Sequence, residues 1–501
     1  MRGPRGTLGV AAVAVAVSLG VSAPALAAAG AGSAAGGARP GGARPAAARP
    51  AVILVAAQPV VTTGRTGPRT FIDPGIFVVA RGAPLQFNLR KPSFTAPIRL
   101  TRVIRGPGGA VREVPLPSSL AAGFQGLRNF VVVTVRDSAG KTVATRHLSF
   151  CPDVFEPERA GPDSPQRSPF PQQGCATMPF TRSAVWGVQR GWGVEVSETS
   201  NTQFHLKLGT YTMTETITAP FRTALDLPDA TSSATVTVKI VKGPPGPGPI
   251  EGSAQPGRAL PRLPRVRTLA NPPRAALPDM VPLPSWGIQL QVTHKNRHHP
   301  AVDHLNFDST VAIDGNSPLD VQGFRSGSGP VMHAFQYFFL HGKVIGRAPA
   351  GTMVFDSAPD EREWHFQQFA QYRLLDAGKT TAVRSHKEAF CIGSTDAYDL
   401  LRPGAVWQPP FFGLGGNCGQ ATALWVHEQL PLGWGDTYSQ TFDGQNFNVT
   451  HLPNGTYYIE VIANPEKLIH ETTMANNISL RKIILGGTPN HRTLRVPPFT
   501  G

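Results

Sequence analysis

Apolar and polar residues alternate along this chain in short stretches that end at glycine or proline. Phe130 to Arg136 reads Phe-Val-Val-Val-Thr-Val-Arg, Asp137 to Lys141 is a turn-forming Asp-Ser-Ala-Gly-Lys, and Thr142 to Thr145 resumes the alternation. That sequence predicts a hairpin. Ala234 to Val241 alternates threonine and valine, and Phe307 to Ala312, Ala334 to Leu340, Lys343 to Arg347, Thr456 to Ala463 and Asn477 to Leu485 repeat the pattern. A period of two turns one face of each strand to a core and the other to water. His341-Gly342 and Pro453-Asn454-Gly455 supply turns beside these runs. Long amphipathic helix patterns are nearly absent. The 53 glycines and 49 prolines among 501 residues suit many short strands. The expected fold is all-β, two β-sandwich (Ig-like) domains joined by a Pro-rich linker.

Breaks in the pattern divide the chain. Arg2 and Arg5 precede an apolar run from Leu8 to Val21 and a small-x-small site at Ala25-Leu26-Ala27, which reads as a signal peptide over 1–27. The run falls short of the roughly 20 apolar residues that span a bilayer, and no later segment reaches that length. The expectation is a secreted protein with no integral membrane segment after cleavage. Residues 28–50 are almost entirely Ala, Gly, Arg and Pro and cannot bury a core, so they read as disordered. A second Pro-rich stretch, 242–282, reads as an extended linker. Between and after them lie an N-terminal β-domain, 51–241, and a second folded unit, 283–488, followed by a tail, 489–501.

Charge narrows the partners. The formal net charge is +15, but Arg39, Arg44, Arg49, Arg258, Arg262, Arg265, Arg267 and Arg274 sit in Ala/Gly/Pro-rich tracts, with no basic helical face and no interleaved aromatics. That distribution argues against nucleic acid and leaves weak contact with an anionic surface such as a cell wall. Cys151, Cys175, Cys391 and Cys418 form two sequence-local pairs. In an exported chain these read as disulfides 151–175 and 391–418, although four cysteines allow three pairings. His147 and His205 stand isolated in strand-like sequence and read as structural.

Candidate chemistry is confined to the second unit. Glu361-Arg-Glu-Trp-His365 alternates, so in a strand Glu361, Glu363 and His365 share a face and can converge on one metal ion. Ser385-His-Lys-Glu-Ala-Phe-Cys391 places Lys387 near a disulfide-type cysteine, and Gly433-Trp-Gly-Asp-Thr-Tyr438 places Tyr438 behind a Gly-rich turn. Two further blocks follow, GQNFNVTHLPNGTYYI at 444–459 and NPEKLIHETTMANN at 464–477.

These ordered blocks resemble the lysyl oxidase family, in the form found in secreted bacterial proteins, over about 275–488. The resemblance implies a compact, disulfide-bonded β-sandwich. It also implies that copper and a lysine tyrosylquinone, made from Lys387 and Tyr438, serve as cofactors. The implied reaction is oxidative deamination of primary amines, in peptidyl lysine or small molecules, to aldehydes with release of ammonia and hydrogen peroxide. Asp436, two residues before Tyr438, is the candidate proton acceptor, although an Asp in a turn also serves as a backbone cap. The departure lies at the metal. Active members present His-x-His-x-His, and here Glu361 and Glu363 replace two imidazoles. Carboxylates favour harder ions such as Mn, Mg or Fe and weaken copper binding without forbidding it. His333, His341, His386 and His427 are candidates to compensate. The competing reading is a catalytically silent extracellular β-protein that keeps the fold for binding or adhesion.

Overall fold

The alternating stretches become strands, longer in most cases than the alternation marks. The computed structural model describes residues 52–106, 110–154, 156–197, 203–243, 266–293, 301–325, 330–357, 362–367, 369–385, 387, 389–410, 418–441 and 444–500. The expected signal peptide and the Ala/Gly/Arg/Pro-rich segment, residues 244–265 of the expected linker, Glu361 and His386 lie outside them. Strands dominate, arranged in several sheets, and Ala219–Leu225 is the one α-helix among the described residues. The expected β class is therefore correct.

The first hairpin pairs Leu127–Arg136 with Thr142–Phe150. Asp137 closes its turn by accepting the Ala139 and Lys141 amides at 3.0 Å. These two strands belong to a five-stranded sheet with Gly209–Ile217, Ser233–Lys242 and Val60–Arg65. Fully buried Phe130, Phe87 and Trp186 lie in the core that this sheet shares with two four-stranded neighbours.

Three sheets build the C-terminal region. The first is organised on the long strand Val302–Gly315, which pairs at one end with Pro278–Pro282 and Trp434–Tyr438, and at the other with Trp286–Thr293 and Asn446–Asn448. In the second, the order is Ala389–Phe390, Trp364–Gln367, Lys343–Phe355, Val331–Leu340, Leu319–Arg325, Trp425–Leu430. Its central hairpin turns through His341 and Gly342, at φ 49° and 73°. Two consecutive positive φ values are what a two-residue turn between twisted strands requires. The third sheet holds Thr381–Arg384, Ala370–Leu375, Gly455–Ala463, Ile478–Thr488 and His491–Arg495. Trp364 and Trp434 are buried where the sheets meet. Each contributes roughly 2–3 kcal/mol by leaving water.

The stretch read as linker is packed from residue 266 onward. Leu269 lies against Gly346, and Pro278–Pro282 pairs with the long strand. Proline is tolerated there because that strand is an edge, with no ladder partner on its outer side. Contacts also run between the N-terminal and C-terminal regions. Thr181 Oγ1 donates to the Ala397 carbonyl at 3.0 Å, the Arg182 amide donates to the Tyr398 carbonyl at 2.7 Å, and Ser183 Oγ bonds the Asp399 carboxylate. Phe170 stacks on Trp407 with centroids 6.2 Å apart. The segment that receives these contacts continues from Asp396–Ala397, which pairs directly with the strand carrying Asp436 and Tyr438.

Candidate functional site

Strand parity gathers the site. Trp434, Asp436 and Tyr438 alternate along Trp434–Tyr438 and all three are buried, so the carboxylate and the phenol point to one side. Asp436 is thus a strand residue rather than a turn cap. The Tyr438 hydroxyl donates to the Cys391 carbonyl at 2.9 Å and accepts from the Cys391 amide at 2.7 Å. Its ring meets Phe390 edge-on at 4.8 Å.

Lys387 enters from the short connection between Thr381–Arg384 and Ala389–Phe390. Its backbone is tied by the Lys387 amide to Ser385 Oγ at 3.1 Å, and Ser385 Oγ donates to the Gly444 carbonyl at 2.8 Å. Gly444 has φ 78°, and a Cβ there would lie 3.1 Å from Lys387 Cβ. Glycine therefore permits this close approach of the two chain segments. The Lys387 side chain is buried, and Nζ sits 4.7 Å from the centroid of the Tyr438 ring, over its face.

The expected metal-ligating residues divide. Strand Trp364–Gln367 starts one residue after Glu363, and Arg362 has φ 49°. Even so, Glu363 Oε1 and His365 Nε2 lie 3.3 Å apart, with His365 buried. Asp356 Oδ2 faces the other ring nitrogen at 3.9 Å. Of the histidines read as compensating, His427 lies on the opposite strand face from Glu428, with Nε2 2.7 Å from Asp320 Oδ2. His333 and His341 are exposed. Neither exposed side chain joins buried His365 and half-buried Glu363. Glu363 also lies within 4.8 Å of both sulfurs of Cys391 and Cys418. Those sulfurs form a disulfide, as Cys151 and Cys175 do, and offer no thiolate to a metal.

One buried acid escaped the sequence reading. Glu428 is fully buried, and its Oε2 accepts the Ile392 amide at 3.1 Å while Oε1 has no hydrogen-bond partner among the described residues. The available signal was parity: Val426, Glu428 and Leu430 alternate along Trp425–Leu430, which puts a carboxyl on the core face. Backbone amides of consecutive residues are thus engaged from different strands, Cys391 by Tyr438 and Ile392 by Glu428.

Burial sets the electrostatics. Asp436 is pushed well above the ordinary carboxylate range by desolvation, and the Gly393 amide and the Lys387 ammonium pull it partly back. The Gly393 amide acts from close by without closing a hydrogen bond of good geometry. Glu428 is raised well above its usual value by burial, against the pull of the Ile392 amide and His365. The Tyr438 phenol is raised by burial first, then by Asp436, Glu363 and Glu428. Such shifts concentrate at functional sites.

Comparison with known proteins matches part of this region to one family. Residues 358–492 match the lysyl oxidase family model. The C-terminal region carries a lysyl oxidase domain. Protein-lysine 6-oxidase of Gallus gallus is 30% identical over 127 residues, covering 23% of this chain and 26% of that protein. Lysyl oxidase homolog 2 of Rattus norvegicus is 26% identical over 118 residues, covering 23% of this chain and 13% of that protein. Protein-lysine 6-oxidase of Sus scrofa is 29% identical over 127 residues, which is 44% of its length. The chain therefore spans less than half of each of these relatives. The described residues of the lysyl oxidase domain suit its family's cofactors on two counts. An amine stands over the face of a phenol ring, the direction from which a nucleophile adds to an oxidised ring. One imidazole and one carboxylate converge, an N/O donor pair that accepts copper or a harder divalent ion.

Proposed function

We propose that this protein is a secreted amine oxidase of the lysyl oxidase type, acting on primary amines in peptidyl lysine or small molecules. The observation that carries the reading is Lys387 Nζ over the Tyr438 ring at 4.7 Å, both side chains buried. When formed from these two residues, the quinone supplies an electrophile and an electron sink that no ordinary side chain offers. Around it, His365 and Glu363 would hold copper, with Glu361 as the third expected donor. Cys391 fixes the phenol oxygen through its backbone, so the ring cannot turn away from the amine. Asp436 shares the phenol's face. Burial favours its neutral form and the Lys387 ammonium favours the ionised one; once ionised, it is a stronger base than an exposed carboxylate and would take the proton lost from the substrate carbon.

In the same reading, 51–241 and 283–488 are Ig-like and lysyl-oxidase-like sandwich domains, and 242–282 connects them. Export is supported by the two disulfides. No helix among the described residues is long and apolar enough to cross a membrane. Contact with an anionic cell wall would follow from the net positive charge.

The silent alternative is favoured by two features: glutamate stands at two of the three expected copper-ligand positions, 361 and 363, and the Tyr438 hydroxyl already makes two backbone hydrogen bonds, as a structural phenol would. Peptide mapping of the protein, exported in the presence of copper, separates the two. The expected result is an oxidised, cross-linked peptide joining Lys387 to Tyr438, with peroxide released on adding amines. Two separate unmodified peptides and no peroxide would leave only the scaffold.

A further inference from the structure

Strand register places a row of uncharged amides on one face of the C-terminal region. Pairing of Trp286–Thr293 with Val302–Gly315 sets Gln289 opposite Asn306 and Gln291 opposite His304. Pairing of Val302–Gly315 with Asn446–Asn448 sets Asn446 opposite Asn306 from the other side. Opposed residues share a sheet face. Gln289, Asn306 and Asn446 thus form one polar row, and Gln291 with His304 begins the next. The residues between them, Leu305, Phe307 and Phe447, are buried on the core side. Gln289, Gln291, His304, Asn306 and Asn446, with Gln440, line a recess of about 690 Å³. That volume lies within the usual range for small-molecule sites.

The lining selects a class of ligand. Among the described residues it contains no Phe, Tyr or Trp and no Asp, Glu, Lys or Arg; His304 supplies its one ring, and Leu290 is its one apolar side chain. A charged ligand finds no counter-ion there, and an apolar one finds almost no surface to cover. A carboxamide offers an acceptor and a donor side by side, which matches the donor–acceptor pairs of neighbouring hydroxyls. Asn306 supplies the second observation. It is 6% exposed, and its Nδ2 donates to Gln291 Oε1 at 2.8 Å, yet its Oδ1 has no hydrogen-bond partner among the described residues. Gln440 Oε1 is buried in the same state. His304 Nδ1 and Asn446 Oδ1, 3.0 Å apart, hold one another in place. Buried acceptors that lack a donor are uncommon in folded proteins and call for an explanation.

We propose that this recess binds a neutral carbohydrate, whose hydroxyls donate to Asn306 Oδ1 and Gln440 Oε1 and bridge the amide rows. A peptide is the poorer match, because its side chains need apolar or charged subsites that the lining does not offer. The inference is independent of the redox chemistry, since no residue of the recess takes part in it. Gln440 nevertheless stands two residues beyond Tyr438, so a glycan held here would fix the oxidase region beside a carbohydrate-bearing surface.

The test uses the whole exported protein with maltotriose and tri-N-acetylchitotriose as probes, read by saturation-transfer NMR and calorimetry. At least one trisaccharide should bind. Gln289→Ala combined with Gln291→Ala should weaken that binding about tenfold, the equivalent of one or two lost hydrogen bonds. Both glutamines are exposed, but Gln291→Ala also removes the acceptor of Asn306 Nδ2, so the double variant should melt slightly lower, whereas Gln289→Ala alone should weaken binding with the melting temperature unchanged. Raising the salt should leave the affinity unaltered, because no charge pair is involved. Absence of binding by both sugars, undiminished binding in the double variant, or equal binding of acetyl-triglycine amide would each overturn the proposal.

Discussion

Both regions of this molecule bury carboxyl groups, but only one sets basic side chains against them. In the N-terminal region Glu215 is fully buried with neither oxygen hydrogen-bonded among the described residues, and burial followed by repulsion from Asp73 raises it to about 8. Glu195 reaches about 8 through burial and a carboxyl partner, Asp73, and Asp153 reaches about 8 under burial that the Gln173 and Gly174 amides offset in part. No basic side chain moderates any of the three shifts. In the C-terminal region Glu428 and Asp436 are also raised by burial, but His365 pulls on the first and Lys387 on the second. The lesson is that burying an acid perturbs it anywhere, whereas chemistry needs the acid, the amine and the phenol to converge.

The sharpest break comes from removing the convergence. Lys387→Met or Tyr438→Phe should abolish the cross-linked peptide and lower amine-dependent peroxide release by about 10³-fold or more, because no remaining side chain is an electron sink. Both variants should still fold, as each replacement keeps most of the buried apolar volume. Retained activity in either would show that the amine and the ring are a packing pair like any other.

A smaller effect is expected one layer out. Glu428 touches neither the ring nor the amine, but it holds the Ile392 amide next to Cys391, which binds the phenol. Glu428→Ala leaves that amide without its acceptor at a cost of about 1–3 kcal/mol. Quinone yield should then fall by about tenfold, in the range that supporting residues around metal and cofactor sites show. Glu428→Gln keeps the acceptor and reproduces the neutral form that burial favours. Quinone staining should therefore recover with Gln and not with Ala. Equal yields in both variants would exclude a positioning role.

Legibility in the sequence followed the same division. Period-two alternation marked strands such as Thr456 to Ala463, found as Gly455–Ala463, because a strand with one buried face writes its geometry into the sequence. Lys387, Asp436 and Tyr438 could be singled out as candidates because they lie in contiguous motifs. Glu428 was not, since nothing adjacent to it in sequence carries chemistry and its neighbours in space come from other strands. Residues 266–282 were read as spacer because proline masks the edge strand Pro278–Pro282. The amide recess was equally silent. Gln289, Asn306 and Asn446 become a row only once three strands are in register.

The mildest consequence for chemistry, and the best control, lies in the N-terminal region. Glu215 titrates near 4.5 when unfolded and near 8 when folded, so the folded chain holds a proton that the unfolded chain has released between those values. Stability from this group is complete below about pH 4.5 and is lost as pH rises through 8. Glu215→Gln mimics the protonated side chain at every pH. It should therefore leave the melting temperature unchanged near pH 4 and raise stability at pH 8 by an amount on the order of a few kcal/mol. Amine oxidation should be unaffected, because no part of the Lys387–Tyr438 site figures among the groups that shift Glu215. A melting curve that stays equally pH-dependent in Glu215→Gln would mean that the carboxyl is ionised in the folded protein and has acquired a partner. The two regions would then no longer differ in how they treat a buried acid.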